Sequence, residues 1–203
     1  MATFRGLAAV GTGVLTLLED AWARDPFVPE TMETSLIRAE DLKERPFEFG
    51  VTVYVYRVAV NGTQRTPVPT VTATATTPRR RRPLPVEVDL VVTAWGLSAE
   101  RELELLGWCM RAIDDEPLLS PAVLNRAVPG VFGPSETAEL VANPLPLDEY
   151  YRLWDALPWD YQLSAAYTAR VVRLESSRTV TEAGPVLERD LDHRALELEG
   201  ADA

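Results

Sequence analysis

The sequence predicts a single α/β (α+β) domain in which a mixed β-sheet is packed by two to three helices. Two valine-rich segments, residues 51–60 and 86–95, have the apolar patterns of β-strands. Residues 7–21 and 98–116 instead repeat apolar side chains at helical spacing. A chain of 203 residues with 46% hydrophobic side chains is long and apolar enough to bury one core.

The first predicted element is a helix near the N-terminus. Its apolar side chains recur every three or four positions, at Leu7, Val10, Val14, Leu17 and Ala21. A cleaved signal peptide is the alternative, because an Ala-Trp-Ala sequence follows an apolar run. However, Glu19 and Asp20 lie where a cleavage region should be neutral, and the stretch is too short to cross a bilayer. We therefore expect an amphipathic helix that is retained in the protein.

Three long strands are predicted. Residues 51–60 end at Asn61-Gly62, a strong turn signal, and carry apolar or aromatic side chains on both faces, which indicates a central strand covered on both sides. Residues 86–95 alternate cleanly between two faces, and residues 161–171 alternate in the same way. Short strands near residues 35–39 and within 137–143 complete the predicted sheet.

A second helix is predicted after residue 97. Ser98 is a suitable N-cap and Pro117 closes the helix. Its apolar stripe is predicted to consist of Leu103, Leu106, Met110 and Ile113. Cys109 is predicted to be buried packing rather than a reactive thiol. A further helix is expected from about residue 148 to 157, where Pro158 stops it.

The domain organisation follows from composition. We assign residues 1–175 to one domain and residues 63–83, which are rich in Thr, Pro and Arg, to a flexible loop within it. Residues 176–203 contain seven acidic and three basic side chains and no aromatic residue, so we expect an acidic, disordered tail.

Charge and residue usage exclude several functions. A net charge of -11 and a sequence pI near 4.6 oppose general binding to nucleic acid or anionic membranes. Cys109 and His193 are the only cysteine and histidine, which removes intramolecular disulfides, cysteine zinc clusters and histidine-based catalytic triads. The carboxylates of residues 114–116 are interpreted as a polar helix end, because a Mg²⁺ or Ca²⁺ loop needs spaced oxygen ligands. We therefore expect that the protein is not an enzyme and that it binds no metal and no cofactor.

Four consecutive arginines, Arg79, Arg80, Arg81 and Arg82, precede the second long strand. They could form a nucleic-acid patch in a small regulatory or nucleic-acid-binding module, a docking element, or a solvated loop. No neighbouring aromatic residue is available to stack on bases, which disfavours nucleic acid. Pairing with acidic groups, including Glu87 and Asp89 or those of a neighbouring subunit, is preferred.

Trp95, at the end of the second long strand, is the other candidate interface residue. Tryptophan in a core is the default, but a partly exposed indole at a sheet end also suits a subunit interface. The candidate interface set is therefore the four arginines and Trp95.

Three stretches together resemble one family. They are "VTVYVYRVAVNGTQR", "PLPVEVDLVVTAW" and "LWDALPWDYQLSAAYTARVV", in an order and spacing that also include an N-terminal helix before a proline-rich link. Over residues 5 to 175 the chain is similar to the distal cap, or tail-terminator, proteins of extracellular contractile injection systems, which are phage-tail-like particles. The loop at 63–83 has no counterpart in that family.

The resemblance implies a tail-terminator-like fold and a structural role. The expected assembly is a homo-oligomeric ring, a hexamer, which sits on the last layer of inner tube and sheath and ends their polymerisation. The implied partners are further copies of the chain, the inner tube and the sheath, with no nucleic acid and no direct membrane insertion. The implied location is the cytoplasm during assembly and then the particle.

Overall fold

The computed structural model describes residues 2–65, 79–80, 82–177 and 179–180. Within them, a six-stranded sheet carries helices on both faces. The helices are α1 (Gly6–Arg24), α2 (Gly62–Arg65), α3 (Ala99–Asp115), α4 (Pro121–Leu124) and α5 (Leu147–Asp155), with a 3-10 helix at Ala39–Lys43. The strands are β1 (Glu33–Ile37), β2 (Gly50–Val60), β3 (Arg79–Arg80), β4 (Leu84–Trp95), β5 (Leu118–Leu119), β6 (Ala138–Ala142), β7 (Ser164–Leu174) and β8 (Thr179–Val180).

The sheet is mixed, in the order β1-β2-β4-β7-β6-β5. β1 runs parallel to β2, and every other pair in this sheet is antiparallel. The longest strand, β4, pairs with β2 on one side and with β7 on the other, so both valine-rich strands predicted from the sequence lie in the interior of the sheet. This architecture confirms the predicted fold class.

The core lies on the inner face of the sheet, which we define by the side chains of Val88, Leu90 and Val92. These residues are at most 1% exposed and belong to one cluster with buried side chains of α1 and α3. The opposite, outer face carries Val91, Thr93 and Trp95, and is covered by α5 and the 3-10 helix at the Trp95 end. The β-strand alternation therefore supplies two apolar surfaces from one strand.

Helix α1 confirms the predicted N-terminal helix. It is more deeply embedded than an amphipathic surface helix, because Val10, Val14 and Leu18 are fully buried and the intervening Gly11 and Gly13 are buried as well. A Cβ at Gly11 would lie 2.9 Å from Leu36 Cδ1, so glycine allows α1 to approach β1 closely.

Helix α3 begins as predicted but buries a different stripe. Ser98 Oγ accepts a hydrogen bond from the Arg101 backbone N–H at 3.3 Å, which confirms the N-cap. The predicted stripe is wrong at Leu103 and Met110, which are 58% and 48% exposed. The buried side chains are Leu105, Leu106, Cys109 and Ile113. Both sets fit a helical period, and the contact with β4 selects the set that contains Cys109.

The remaining predicted elements differ from the observed ones mainly at their ends. The strand predicted at 161–171 is β7, which begins at Ser164 because Tyr161 and Leu163 lie outside the ladder. The helix predicted at 148–157 is α5, and the two predicted short strands are β1 and β6.

Part of the predicted loop and tail forms a small second sheet. Arg79 pairs with Val180 and Arg80 with Thr179 in an antiparallel ladder. Most of the predicted loop 63–83 and tail 176–203 lies outside the described residues, and the domain boundary at 175 stays a prediction. In the described part of the chain, no helix is both long and apolar enough to cross a membrane.

Candidate interaction surfaces

Trp95 is a support inside the protein. It is 1% exposed, its indole Nε1 donates to Thr52 Oγ1 at 2.9 Å, and its ring meets Trp159 edge-on with centroids 5.6 Å apart. Trp154 and Leu157 complete this cluster. The structure therefore does not show the partial exposure on which the predicted interface role of Trp95 depends.

An exposed apolar surface lies above this cluster. The rings of Tyr151 and Tyr161 are tilted by 49° with centroids 5.2 Å apart, and the Tyr161 ring centroid lies 6.5 Å from that of buried Trp154. Leu147 is one helical turn before Tyr151 on α5, and Leu163 precedes β7. The exposed fractions are 61% for Leu147, 49% for Tyr151, 42% for Tyr161 and 43% for Leu163. We call these four residues the tyrosine patch.

Acidic side chains border the tyrosine patch. Asp155 follows Tyr151 by one turn of α5, and Asp160 directly precedes Tyr161; both are exposed. A contiguous apolar surface with a charged rim is typical of protein interaction sites. The alternation of residues 161–171 predicts that Tyr161 and Leu163 belong to a strand, so this exposed patch is not evident from the sequence.

A charged network occupies the middle of the outer face. Asp89 is 1% exposed, and its Oδ2 accepts a hydrogen bond from Arg57 Nε at 2.6 Å. Its Oδ1 accepts from Thr168 Oγ1 at 2.5 Å, and Thr168 Oγ1 accepts in turn from Asn143 Nδ2 at 2.9 Å. The hydrogen bond to Asp89 raises the pKa of the Arg57 guanidinium. Asp89, which we expected to pair with the arginine tract, is therefore held by Arg57 and Thr168.

A β-bulge sets up this pair. The register between β2 and β4 shifts between Val55 and Arg57, so Tyr56 is the extra residue and Arg57 faces Asp89. The Tyr56 hydroxyl is buried and has no hydrogen-bond partner among the described residues. Burial, followed by the negative charge of Asp89, raises the pKa of Tyr56 to about 12.

A second exposed apolar surface lies at the start of β4. Val58, Val60 and Leu84 are 46%, 47% and 40% exposed. Asn61 N donates to Pro85 O at 3.0 Å, which brings the short helix α2 with exposed Arg65 beside this strand. Arg82, two residues before Leu84, is also exposed. We call Val58, Val60, Leu84, Arg65 and Arg82 the basic-end patch.

The structure describes the predicted arginine tract only in part. The backbones of Arg79 and Arg80 form β3, Arg82 belongs to the basic-end patch, and Arg81 lies outside the described residues. Nothing in this arrangement brings the arginines to Trp95, which lies at the opposite end of β4. The predicted interface set is therefore divided between two ends of the sheet.

One cleft of about 430 Å³ opens between α3 and β6, lined by Met110, Leu140 and Tyr167. Burial raises the pKa of Tyr167 to about 12. The nearby Cys109 thiol is fully buried and its pKa is raised by burial, which makes it a poor nucleophile. The cleft thus supplies apolar surface rather than activated groups.

The carboxylates at the end of α3 are engaged in ion pairs. Arg111 contacts both Asp114, at 3.2 Å, and Asp115, and Arg24 contacts Glu116 at 2.6 Å. Among the described residues, no group of three or more His, Cys, Asp or Glu side chains is placed to hold a metal ion.

Comparison with known proteins gives one family and a shared fold. A family model described as the Pvc16 N-terminal domain matches residues 9–188. No curated protein matches the chain. Two cryo-EM structures are similar: the PVC sheath/tube terminator of an extracellular contractile injection system, in its extended state, and the tube-terminating cap of the anti-feeding prophage.

The similarity is one of fold over most of this chain. The sheath/tube terminator has a TM-score of 0.52 and 13% identity, with 89% of this chain and 64% of that chain covered. The prophage cap has a TM-score of 0.54 and 15% identity, with coverage of 90% and 59%. The chain therefore spans about three fifths of the length of each structure. These findings confirm the family and the tail-terminator-like fold predicted from the sequence.

Proposed function

Because this chain belongs to the Pvc16 N-terminal domain family, we propose that it is a non-enzymatic structural cap of a contractile injection particle. It terminates the polymerisation of inner tube and sheath at the distal end. The observation that carries this proposal is the family match over residues 9–188, together with a fold shared with a sheath/tube terminator and a tube-terminating cap.

The cap acts as a ring of identical copies, six in number, seated on the last layer of tube and sheath. A terminator must satisfy the contacts of that layer without offering a new copy of them. The sheet edges suit this requirement: β5 has two residues, and β1 has five and begins with exposed Glu33. Short or charged edges discourage the addition of further strands.

The arginine tract contributes to docking in this proposal. Replacing Arg79, Arg80, Arg81 and Arg82 with alanine weakens incorporation of the protein into particles, because the positive charge that meets acidic groups of a neighbour is lost. The matched control replaces all four with lysine, which keeps the charge. Incorporation of the alanine variant at the wild-type level contradicts the docking role.

A nucleic-acid-binding module is the alternative function, and it rests on the same tract. It requires retention of the protein on DNA that falls steeply with salt and is lost in the alanine variant. In the cap proposal the protein is assembled in the cytoplasm and becomes part of the particle, and it neither binds nucleic acid nor inserts into a membrane.

The decisive experiment measures sheath and tube lengths by electron microscopy in particles assembled with and without this protein. We expect missing, unstable or irregularly long particles in its absence. Particles of unchanged length and yield refute the cap function.

A further inference from the structure

The charged residues of this protein are separated along β4. The segments that meet at the Trp95 end are residues 38–48, 98–104 and 147–163, which contain eleven acidic and five basic residues. The described segments that meet at the start of β4 are residues 57–65, 82–87 and 170–175, which contain five basic and two acidic residues. A chain with a net charge of -11 thus has one basic end.

Each end also carries an exposed apolar surface. The tyrosine patch lies at the acidic end, because Ser164, next to Leu163, pairs with Thr93 near the end of β4. The basic-end patch lies at the other end, where Val60 pairs with Val86 and Leu84 begins the strand. Ten residues separate Leu84 from Ala94, which is about 33 Å at roughly 3.3 Å per residue. The two patches therefore face different neighbours.

We propose that the tyrosine patch of one copy docks on the basic-end patch of a second copy. This inference rests on the proposed ring and names the surfaces that form it. The partner is a second copy because one chain carries two complementary surfaces. The tyrosine patch is aromatic with an acidic rim, and the basic-end patch is aliphatic with arginines at its rim. Each patch would meet like charge in a symmetric contact with itself, so a twofold dimer is disfavoured.

The contacts follow from the chemistry of the two surfaces. The rings of Tyr151 and Tyr161 supply wide, rigid faces for Val58, Val60 and Leu84, and tyrosine is enriched at interface hot spots. Arg65 and Arg82 reach the carboxylates of Asp155 and Asp160 at the rim, or the tyrosine rings as cations over π-faces.

The geometry of this contact generates a ring. The two surfaces are different and lie at opposite ends of the molecule, so each copy uses one end toward the preceding copy and the other toward the following copy. Such head-to-tail contacts close into a ring when the rotation between copies divides a full turn.

The test uses two charge-reversed variants of the full chain. The acidic-end variant is Asp155→Arg with Asp160→Arg, and the basic-end variant is Arg65→Glu with Arg82→Glu. All four side chains are exposed, so the variants should fold, and circular dichroism with thermal unfolding verifies this. The control for the acidic-end variant is Asp25→Arg with Glu30→Arg, which makes the same change in net charge in the loop between α1 and β1.

Self-association is measured by light scattering after size exclusion at physiological salt. We expect the wild type and the control to associate, and each variant alone to associate at least about tenfold more weakly. An equimolar mixture of the two variants should recover association beyond dimers, because the two unaltered ends form the original contact and the two reversed ends are again complementary in charge. The variant that carries all four substitutions, with the charge of both ends reversed, should associate again.

Other outcomes overturn the proposal. A wild type that stays monomeric, a control that fails to associate, or a mixture that shows no recovery each exclude this head-to-tail contact. The readout is independent of particle length, so its failure is distinguishable from failure of the cap function. If the variants associate normally but no longer enter particles, the patches bind tube or sheath, and the second-copy assignment is wrong.

Discussion

At the scale of single residues, Asp89 shows how the outer face keeps a charge inside the sheet. A buried carboxylate is costly unless it is paired and hydrogen-bonded, and Asp89 has both an arginine and a threonine within 2.6 Å. Its partner Arg57 has 63% of its side chain exposed, so water already solvates most of that cation. The two partners therefore depend on the pair to different degrees.

This asymmetry gives the first prediction. Arg57→Ala should lower the free energy of unfolding by about 3 kcal/mol, because it leaves the buried Asp89 carboxylate without its cation. Asp89→Asn should cost only about 1 kcal/mol, because exposed Arg57 remains hydrated and one hydrogen bond is weakened. Urea unfolding at pH 7 measures both values.

The double variant is the control for this pair. Combining Arg57→Ala with Asp89→Asn should recover part of the stability lost in Arg57→Ala alone, since the unpaired charge is gone. A double variant less stable than Arg57→Ala would show that Arg57 acts mainly through packing of its alkyl chain.

Tyr56 gives the second prediction, which concerns pH. Its folded pKa of about 12 lies above the reference value of 10.0 because burial disfavours the phenolate. Between pH 10 and 12 the folded state keeps a proton that the unfolded state has lost, so stability falls as pH rises through this window. Tyr56→Phe should reduce this fall.

The same variant should not destabilise the protein at pH 7. The buried Tyr56 hydroxyl has no partner among the described residues, so its removal relieves a desolvation penalty and should raise the free energy of unfolding by up to about 1 kcal/mol. Chemical denaturation at pH 7, 10 and 11.5 compares the two proteins. Parallel pH curves for wild type and variant would mean that Tyr56 does not contribute to this loss.

At the scale of elements, α3 shows where sequence patterns lose information. Two apolar sets on this helix have helical spacing, and they differ by about one residue in phase. The set with Leu103 and Met110 was preferred from the sequence, whereas the helix buries the set with Leu105 and Cys109. Periodicity predicts that one face is covered, but the contact with β4 and β7 decides which one.

Helix α3 also provides the third prediction through a matched pair. Leu105→Ala should cost about 2–5 kcal/mol, because Leu105 is fully buried and its truncation leaves a cavity. Leu103→Ala removes the same atoms from a side chain that is 58% exposed and should change stability by less than about 0.5 kcal/mol. Thermal and urea unfolding separate the two, and equal losses would restore the stripe predicted from the sequence.

The strands were predicted more accurately than the surfaces on them. Strands β2 and β4 have strong local signals: each contains a valine-rich run, and β2 is followed by an Asn-Gly sequence. The structure confirms both strands. The Arg57–Asp89 pair was missed because it depends on the bulge at Tyr56, which shifts the register of β2 by one residue. A one-residue shift of this kind leaves no clear trace in the composition of either strand.

At the scale of the whole molecule, both patches depend on topology. The tyrosine patch joins α5 to the residues before β7, and the basic-end patch joins the end of β2 to the start of β4. The sequence indicated a basic feature and an aromatic feature, but it assigned the aromatic role to Trp95, which is a support beneath the surface. The sequence predicted which types of residue form an interaction surface. Which aromatic side chains are exposed depends on how α5 packs on the end of the sheet.

The last prediction concerns the C-terminal segment, residues 181–203, which contains seven acidic and two basic residues. Two backbone contacts follow the end of β7 among the described residues. Glu175 N donates a hydrogen bond to Ala2 O at 2.7 Å, and β8 pairs with β3. If the domain ends near residue 175, a chain truncated after Val180 keeps every one of these contacts. Its unfolding midpoint should then lie within about 2 °C of that of the full chain.

Truncation also changes the charge balance that governs association. Removing a segment with five more acidic than basic residues reduces the long-range repulsion between copies that each carry a net charge of -11. Self-association of the truncated chain should therefore be tighter than that of the full chain at low salt, with the difference shrinking as salt screens the repulsion. Light scattering across a salt series measures this effect. Weaker association after truncation would instead mean that the segment takes part in the contact between copies, and a large drop in the unfolding midpoint would place it within the folded domain.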